Sequence, residues 1–264
     1  MANDRHALLR ANLKQLRLPT MAAEFEKLAR EAAAAGEGFE QYLLRLTELE
    51  VAARSSKAVQ RRIQQAGFPV AKDFDTFDFS CVPQLSKPRV LELARGEWIE
   101  QKMNVCLVGS PGTGKTHLAT ALGLAACRQG KRVRFCSAAK LVTKLEHAQK
   151  QYQLERLMSQ LDRADLLICD ELGYLSFSKS GAELLFGVFA ERYERRSLLL
   201  TSNLAFSEWD AVFQGERMTA ALLDRLTHRC AIFEVNGESY RFRESMKNKK
   251  RKGSDPGSSK APVG

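Results

Sequence analysis

The stretch Gly109-Ser110-Pro111-Gly112-Thr113-Gly114-Lys115-Thr116 limits the possible folds more than any other part of the chain. It has the form G-x-x-x-x-G-K-[ST]. Ahead of it lies a short apolar run of strand length, 104–108, and behind it a helical pattern over 115–128 that stops at Gly130. A glycine-rich turn between a strand and a helix closes backbone N–H groups around one concavity, at the positive end of the helix dipole. That arrangement suits phosphate. Lys115 brings a cation to the β- and γ-phosphates, and the Thr116 hydroxyl is a ligand for Mg²⁺. The expected nucleotide-binding set is Gly109, Ser110, Pro111, Gly112, Thr113, Gly114, Lys115, Thr116 and the adjoining His117, with ATP and Mg²⁺ as ligands.

The rest of the second half continues the alternation. Strands are predicted at 104–108, 132–136, 165–169, 198–201 and 231–235. Helices are predicted at 115–128, 139–148, 153–161, 180–194, 207–212 and 219–228. Strands separated by helices imply a parallel sheet covered on both faces, a three-layer α/β fold. The first 70 residues carry only helical spacing. Leu8, Leu9, Leu13 and Leu16 mark a first helix that Pro19 ends. Thr20 is the expected cap of a second, which stops near Gly36. A third covers 39–53 and a fourth 56–66, making a small bundle. Residues 70–88, with Pro83 and Pro88, read as a linker, followed by a helix over 89–100. The tail KNKKRKGSDPGSSKAPVG has little to bury, so disorder is expected there. The expected division is a helical domain over 1–70, an ATPase domain over 71–245 and a basic tail over 246–264.

A net charge of +10 points to a polyanionic partner, most often nucleic acid. The six cysteines form no C-x-x-C pair and lie mostly in apolar runs, which reads as reduced, buried thiols rather than metal ligands. No apolar run is long enough to span a membrane, and the N-terminus lacks a signal-like apolar core. A cytoplasmic protein is expected.

Two further strand ends carry chemistry. The run 166–169 ends in Asp170 and Glu171. Asp170 is placed to hold the metal shell and Glu171 to act as general base on water. The run 198–200 ends in Thr201-Ser202-Asn203. Asn203 is the best candidate for orienting that water, with Thr201 or Ser202 in reserve. Arg225, on a late predicted helix, is a candidate to project into a neighbour's nucleotide site. Arg229, four residues on, is expected on the same face.

The runs NVCLVGSPGTGKTHLATALG, DLLICDELGYL, LLLTSN, FSEW, ALLDRLTHR and GESYR resemble the IstB-like family, the ATP-binding helpers encoded beside the transposase in two-gene insertion sequences. That family is similar to the helicase loader DnaC and the initiator DnaA, all of the AAA+ class. The match covers roughly residues 70–245. It implies a P-loop NTPase of AAA+ architecture preceded by a small helical domain, and an ATP-dependent oligomer, ring or filament, that binds duplex DNA and activates a partner transposase. It also implies that Asp170 and Glu171 form the Walker B pair, that Asn203 is sensor 1 and that Arg225 acts in trans. A full C-terminal helical lid is not expected, which leaves Arg241 or Arg243 as substitute sensors.

Candidate DNA contacts are Lys140, Lys144 and Lys150, in a two-helix stretch that also holds His147, Gln151, Tyr152 and Arg156. Arg54, Lys57 and Arg61 form a second set on one helical face. Without a convincing helix-turn-helix, shape-based or non-specific binding is expected rather than direct base readout. The competing readings are a replicative helicase loader and a small-molecule kinase. A GTPase lacks support, since Asn248-Lys249-Lys250-Arg251 has no acid where a guanine-reading motif needs one.

Overall fold

The computed structural model describes residues 2–240, 242 and 243. The expectations for Arg241 and for the basic tail lie outside these. The chain forms two compact units, one of Met1–Arg61 and one that begins at Arg62. No helix among the described residues is long and apolar enough to cross a membrane.

The first unit contains helix α1 (Ala2–Gln15), helix α2 (Pro19–Ala35) and most of helix α3 (Phe39–Ala66). Its core is Leu13, Met21, Phe25, Leu28 and Leu46. Three sequence expectations are corrected here. Helix α3 is continuous where two helices were predicted. Residues 54–57 are polar but contain neither Gly nor Pro, so the lapse in apolar period marks exposure on all sides rather than a break. Pro19 opens α2 instead of only closing what precedes it, since the first helical turn needs no N–H from proline. Thr20 is not the cap. The buried Glu50, thirty residues downstream, accepts the backbone N–H groups of Thr20 at 2.8 Å and Met21 at 3.1 Å.

Burial opposes ionisation of Glu50, but the Arg54 guanidinium and these two N–H donors outweigh it and hold the carboxyl below its usual range. Such a group adds stability above its unfolded pKa of about 4.3 and loses it as pH falls through the lower folded value. Glu50→Ala should destabilise the helical unit by about 1–2 kcal/mol, the range of a lost cap. Glu50→Gln should flatten the acid limb of stability below roughly pH 4. Helical circular dichroism in urea at several pH values reads both.

In the second unit, strands β1 (Asn104–Val108), β2 (Val133–Ser137), β3 (Leu166–Leu172), β4 (Ser197–Ser202) and β5 (Cys230–Glu234) form a sheet in the order β2-β3-β4-β1-β5. All pairings are parallel. The strands are apolar on both faces because both are covered. Val105, Leu107, Ile168 and Leu199 pack under helices α4 (Lys87–Leu93), α5 (Glu97–Glu100) and α6 (Lys115–Arg128). The alternate residues Cys106, Leu167, Cys169 and Leu200 face helices α7 (Ala138–Lys150), α8 (Leu154–Asp162), α9 (Lys179–Arg192), α10 (Asp210–Phe213) and α11 (Glu216–Thr227). All six cysteines are free thiols; Cys136 and Cys230 are only partly buried.

The predicted helix over 89–100 is split: α4 ends at Leu93 with Ala94 as its cap, and Gly96, with φ 80°, caps the start of α5. The helix expected over 207–212 is a 3₁₀ turn at Phe206–Glu208 followed by the one-turn α10. The segment 70–88 is not a free linker. Phe74, Phe77 and Phe79 pack against the core beside the buried Val82 and Leu85. Their spacing has no helical or strand period, so only their aromatic character hinted at burial.

Candidate functional site

The phosphate loop leaves the end of β1, between β4 and the edge strand β5. Gly109 has φ 146°, and a Cβ there would lie 2.5 Å from the Val235 carbonyl oxygen. Gly114, with φ 96°, lies so close under Phe77 that a Cβ would meet its ring at 2.7 Å. Neither position admits a side chain. The loop is pinned from outside: Ser110 N–H donates to Asn236 Oδ1 at 3.2 Å, and Tyr240 N–H donates to the Gly112 carbonyl at 3.1 Å. Lys115, at the first position of α6, is buried. Its Nζ donates to the Gly109 and Ser110 carbonyls, both at 2.7 Å. The ammonium is therefore held within the loop that would receive the phosphates.

The acidic side of the site is organised by Thr201. Its hydroxyl donates to Asp170 Oδ1 at 2.5 Å and accepts the Glu171 backbone N–H at 2.9 Å. The Thr116 hydroxyl donates to the same Asp170 oxygen at 3.0 Å. Asp170 is 4% exposed. Burial pushes its carboxyl up, against the pull of the two hydroxyls. A divalent cation would relieve that burial cost. A hydroxyl and a carboxylate are hard oxygen donors that suit Mg²⁺, which keeps several waters and takes phosphate oxygens for its other positions. Glu171 has φ 60°, at a shift in the β3–β4 register between Cys169 and Leu172. The kink puts Asp170 inward and the exposed Glu171 on the wall of a cleft of about 700 Å³. The loop residues from Pro111 to His117, Thr201 and Asn203 share that wall.

The cleft also draws on residues that the sequence reading passed over. Val70, Lys72, Phe77, Cys81 and Tyr240 line it. His117 joins the two parts. Its Nε2 lies 2.7 Å from the Asp73 carbonyl and 3.2 Å from Thr76 Oγ1, with its ring edge-on to Phe77. Burial lowers its pKa, which favours the neutral ring. Asp78 and Arg243 form an ion pair across the same segment. Hydrogen bonds from Ser80 and the Cys81 thiol, with Arg243, hold Asp78 well below the usual carboxylate range.

The other candidates lie elsewhere. Arg225 is exposed on α11, its guanidinium 5.7 Å from the centre of the Phe186 ring, and it does not line the cleft of its own chain. Arg229 does not share its helical face, because α11 ends at Thr227; the Arg229 carbonyl instead accepts the Asn104 N–H. Lys140, Lys144 and Lys150 are exposed along α7, and Lys57 and Arg61 along α3. Arg54 differs from its neighbours. It is paired with Glu50 at 2.8 Å and donates to the Arg17 carbonyl, while its side chain stays about half exposed.

Residues 11–248 match the family described as IstB-like ATP binding protein. A protein of Sinorhizobium fredii named as an insertion sequence ATP-binding protein is 40% identical over 242 residues, 91% of this chain and 81% of its own length. One from the insertion sequence IS21 of Pseudomonas aeruginosa is 37% identical over 235 residues, 89% of each chain. Among solved structures, AMPPCP-bound DnaA from Aquifex aeolicus is similar with a TM-score of 0.55 at 22% identity, over 70% of this chain and only 56% of that one. DnaI is similar with a TM-score of 0.52 at 16% identity, over 64% and 89%. At these identities the likeness concerns the fold alone. With the family matched from residue 11 to 248 and the phosphate loop, Glu171 and Thr201 gathered at one cleft, the chain belongs to the IstB-like ATP-binding proteins of insertion sequences.

Proposed function

We propose that this protein hydrolyses ATP to ADP and phosphate in the cleft, and that hydrolysis switches a homo-oligomer assembled on duplex DNA to recruit or stimulate a partner transposase. The observation that carries the hydrolytic part is the Asp170 oxygen that accepts from both the Thr116 and the Thr201 hydroxyls, with Thr201 also accepting the Glu171 backbone N–H beside them. Lys115 binds the β- and γ-phosphates in exchange for its loop carbonyls. Thr116 and Asp170 would hold the Mg²⁺, which neutralises charge on those phosphates when bound. Glu171 takes a proton from the attacking water, and Asn203 orients that water against the γ-phosphate. Pairing an acid with a water-orienting amide favours hydrolysis over transfer to an acceptor, which sets the kinase reading aside.

The names of the relatives support a role in insertion-sequence movement. The net charge of +10 and the exposed Lys140, Lys144, Lys150, Lys57 and Arg61 support a nucleic-acid partner. Arg225, exposed and remote from its own cleft, acts on the site of the neighbouring copy.

Steady-state ATP hydrolysis alone, with duplex and with single-stranded DNA, tests the reading. Duplex should stimulate; stimulation by single strands alone would favour a helicase loader. Lys115→Ala and Arg225→Ala proteins should each be inactive, and mixing them should restore part of the rate, because some pairs then combine an intact loop with an intact arginine. No recovery on mixing would remove the role of Arg225 in trans.

A further inference from the structure

The turn between α7 and α8 carries a side chain that the fold does not use. Tyr152 is 99% exposed. Its backbone is nevertheless well fixed. Tyr152 N–H donates to the Gln149 carbonyl at 3.2 Å, and Gln153 N–H to the Ala148 carbonyl at 2.8 Å, closing the end of α7. This closure holds Tyr152 at φ 57°. Glycine or asparagine is the usual residue for such a left-handed helix end. Tyrosine there is strained and, with its ring in water, recovers nothing by packing.

The surroundings are cationic. Lys140, Lys144 and His147 follow one face of α7 toward the turn at spacings of four and three residues. Lys150 precedes the tyrosine by two residues, and Arg156 follows on α8. Lys144, Lys150 and Arg156 form no ion pair or side-chain hydrogen bond among the described residues, unlike Arg54, Arg132 and Arg195. The combination is an aromatic face at the end of a helix that bears Lys140, Lys144 and Lys150, with Arg156 beyond it. It matches the two needs of a strand whose base has left the stack: a ring to stack on and charge for the flanking phosphates.

We infer that the α7–α8 turn is a base-stacking site, in which Tyr152 takes one unstacked DNA base while Lys144, Lys150 and Arg156 hold the adjoining phosphates. This rests on the DNA-binding reading above and adds a preference within it. The site favours DNA that offers an unpaired or easily unstacked base over a continuous duplex.

The test uses the full chain with ATP and three fluorescently labelled DNAs: a continuous duplex, the same duplex with a central bulge containing aminopurine, and the single strand. The wild-type protein should bind the bulged duplex more tightly than the continuous one and quench the aminopurine. Tyr152→Ala should lose roughly 5- to 150-fold in affinity for the bulged DNA, the range of one stacked base, with no change in salt dependence. Tyr152→Phe should keep both affinity and quenching. Lys150→Gln should instead reduce the salt dependence. If Tyr152→Ala binds and quenches like the wild type, the stacking site is overturned while DNA binding stands. If the wild type binds none of the three DNAs, the DNA-binding reading and this site fall together.

Discussion

Glu171→Gln should lower the rate of ATP hydrolysis by roughly two to four orders of magnitude, the contribution of a positioned general base. The substitution is conservative in shape. Glu171 is fixed through its backbone, whose N–H donates to Thr201 Oγ1 at 2.9 Å, and that bond does not depend on the side chain. The left-handed backbone at φ 60° turns the side chain into the cleft, and glutamine can follow the same path. Only basicity is removed. Lys115 and the loop glycines are untouched, so nucleotide affinity should stay within a few-fold of wild type. A fluorescent ATP analogue for binding and phosphate release for turnover separate the two. A variant that hydrolyses at the wild-type rate would remove Glu171 from the reaction. Loss of binding in parallel would mean that the side chain helps to build the site rather than to activate water.

Arg192→Met should destabilise the ATP-binding unit by about 3–5 kcal/mol, the largest effect on stability expected from a single substitution outside the apolar core. Arg192 ends α9 with its side chain 2% exposed. Nη1 donates to the Leu161 carbonyl, and Nη2 to the Ala164 and Ser197 carbonyls, each at 2.9 Å. Those carbonyls belong to the end of α8, the approach to β3 and the first residue of β4. One planar guanidinium thus joins three chain segments that enter the sheet from the same side. Burial lowers its pKa to about 10, so it is still protonated at neutral pH. Methionine fills similar volume but removes three buried hydrogen bonds, at about 1 kcal/mol or more each, although the Leu161 carbonyl keeps another donor, the Ala164 N–H at 3.1 Å. Arg192→Lys should recover only part, because a compact ammonium cannot fan out as the guanidinium does. Thermal and urea unfolding measure both variants. A loss below about 1 kcal/mol for Arg192→Met would show that water or backbone adjustment replaces the lost donors.

Arg192 also marks where reading the sequence stops. An arginine near the end of an amphipathic helix carries no sign that it is buried, since most such arginines are solvated. The acceptors that make its burial tolerable lie in three other segments, the end of α8, the approach to β3 and the start of β4. Glu50 is a similar case. As a charge in the middle of a helix it reads as surface, yet it caps a helix whose start is thirty residues earlier. Thr201 was only a reserve candidate for the water-orienting role. Its place as the link between Asp170 and Glu171 depends on β4 lying beside β3 in the sheet.

What the sequence by itself determined were the local features. The strand, glycine turn and helix around 104–128 follow from apolar runs, glycine spacing and helical periodicity within a few residues of one another. The acids and amide that end the two later strands are legible for the same reason, as are the alternation that implies a parallel sheet and the charge that implies an anionic partner. The tertiary structure alone decided the order β2-β3-β4-β1-β5, which places the phosphate loop next to β4 and within reach of Asp170. It also decided that the aperiodic aromatic segment 70–81 forms a wall of the cleft, that Arg54 pairs with Glu50, and that Tyr152 is fully exposed. These are contacts between residues far apart in the chain. No period of 3.6 or 2 encodes such contacts, because they depend on which surfaces meet once the sheet and helices have packed.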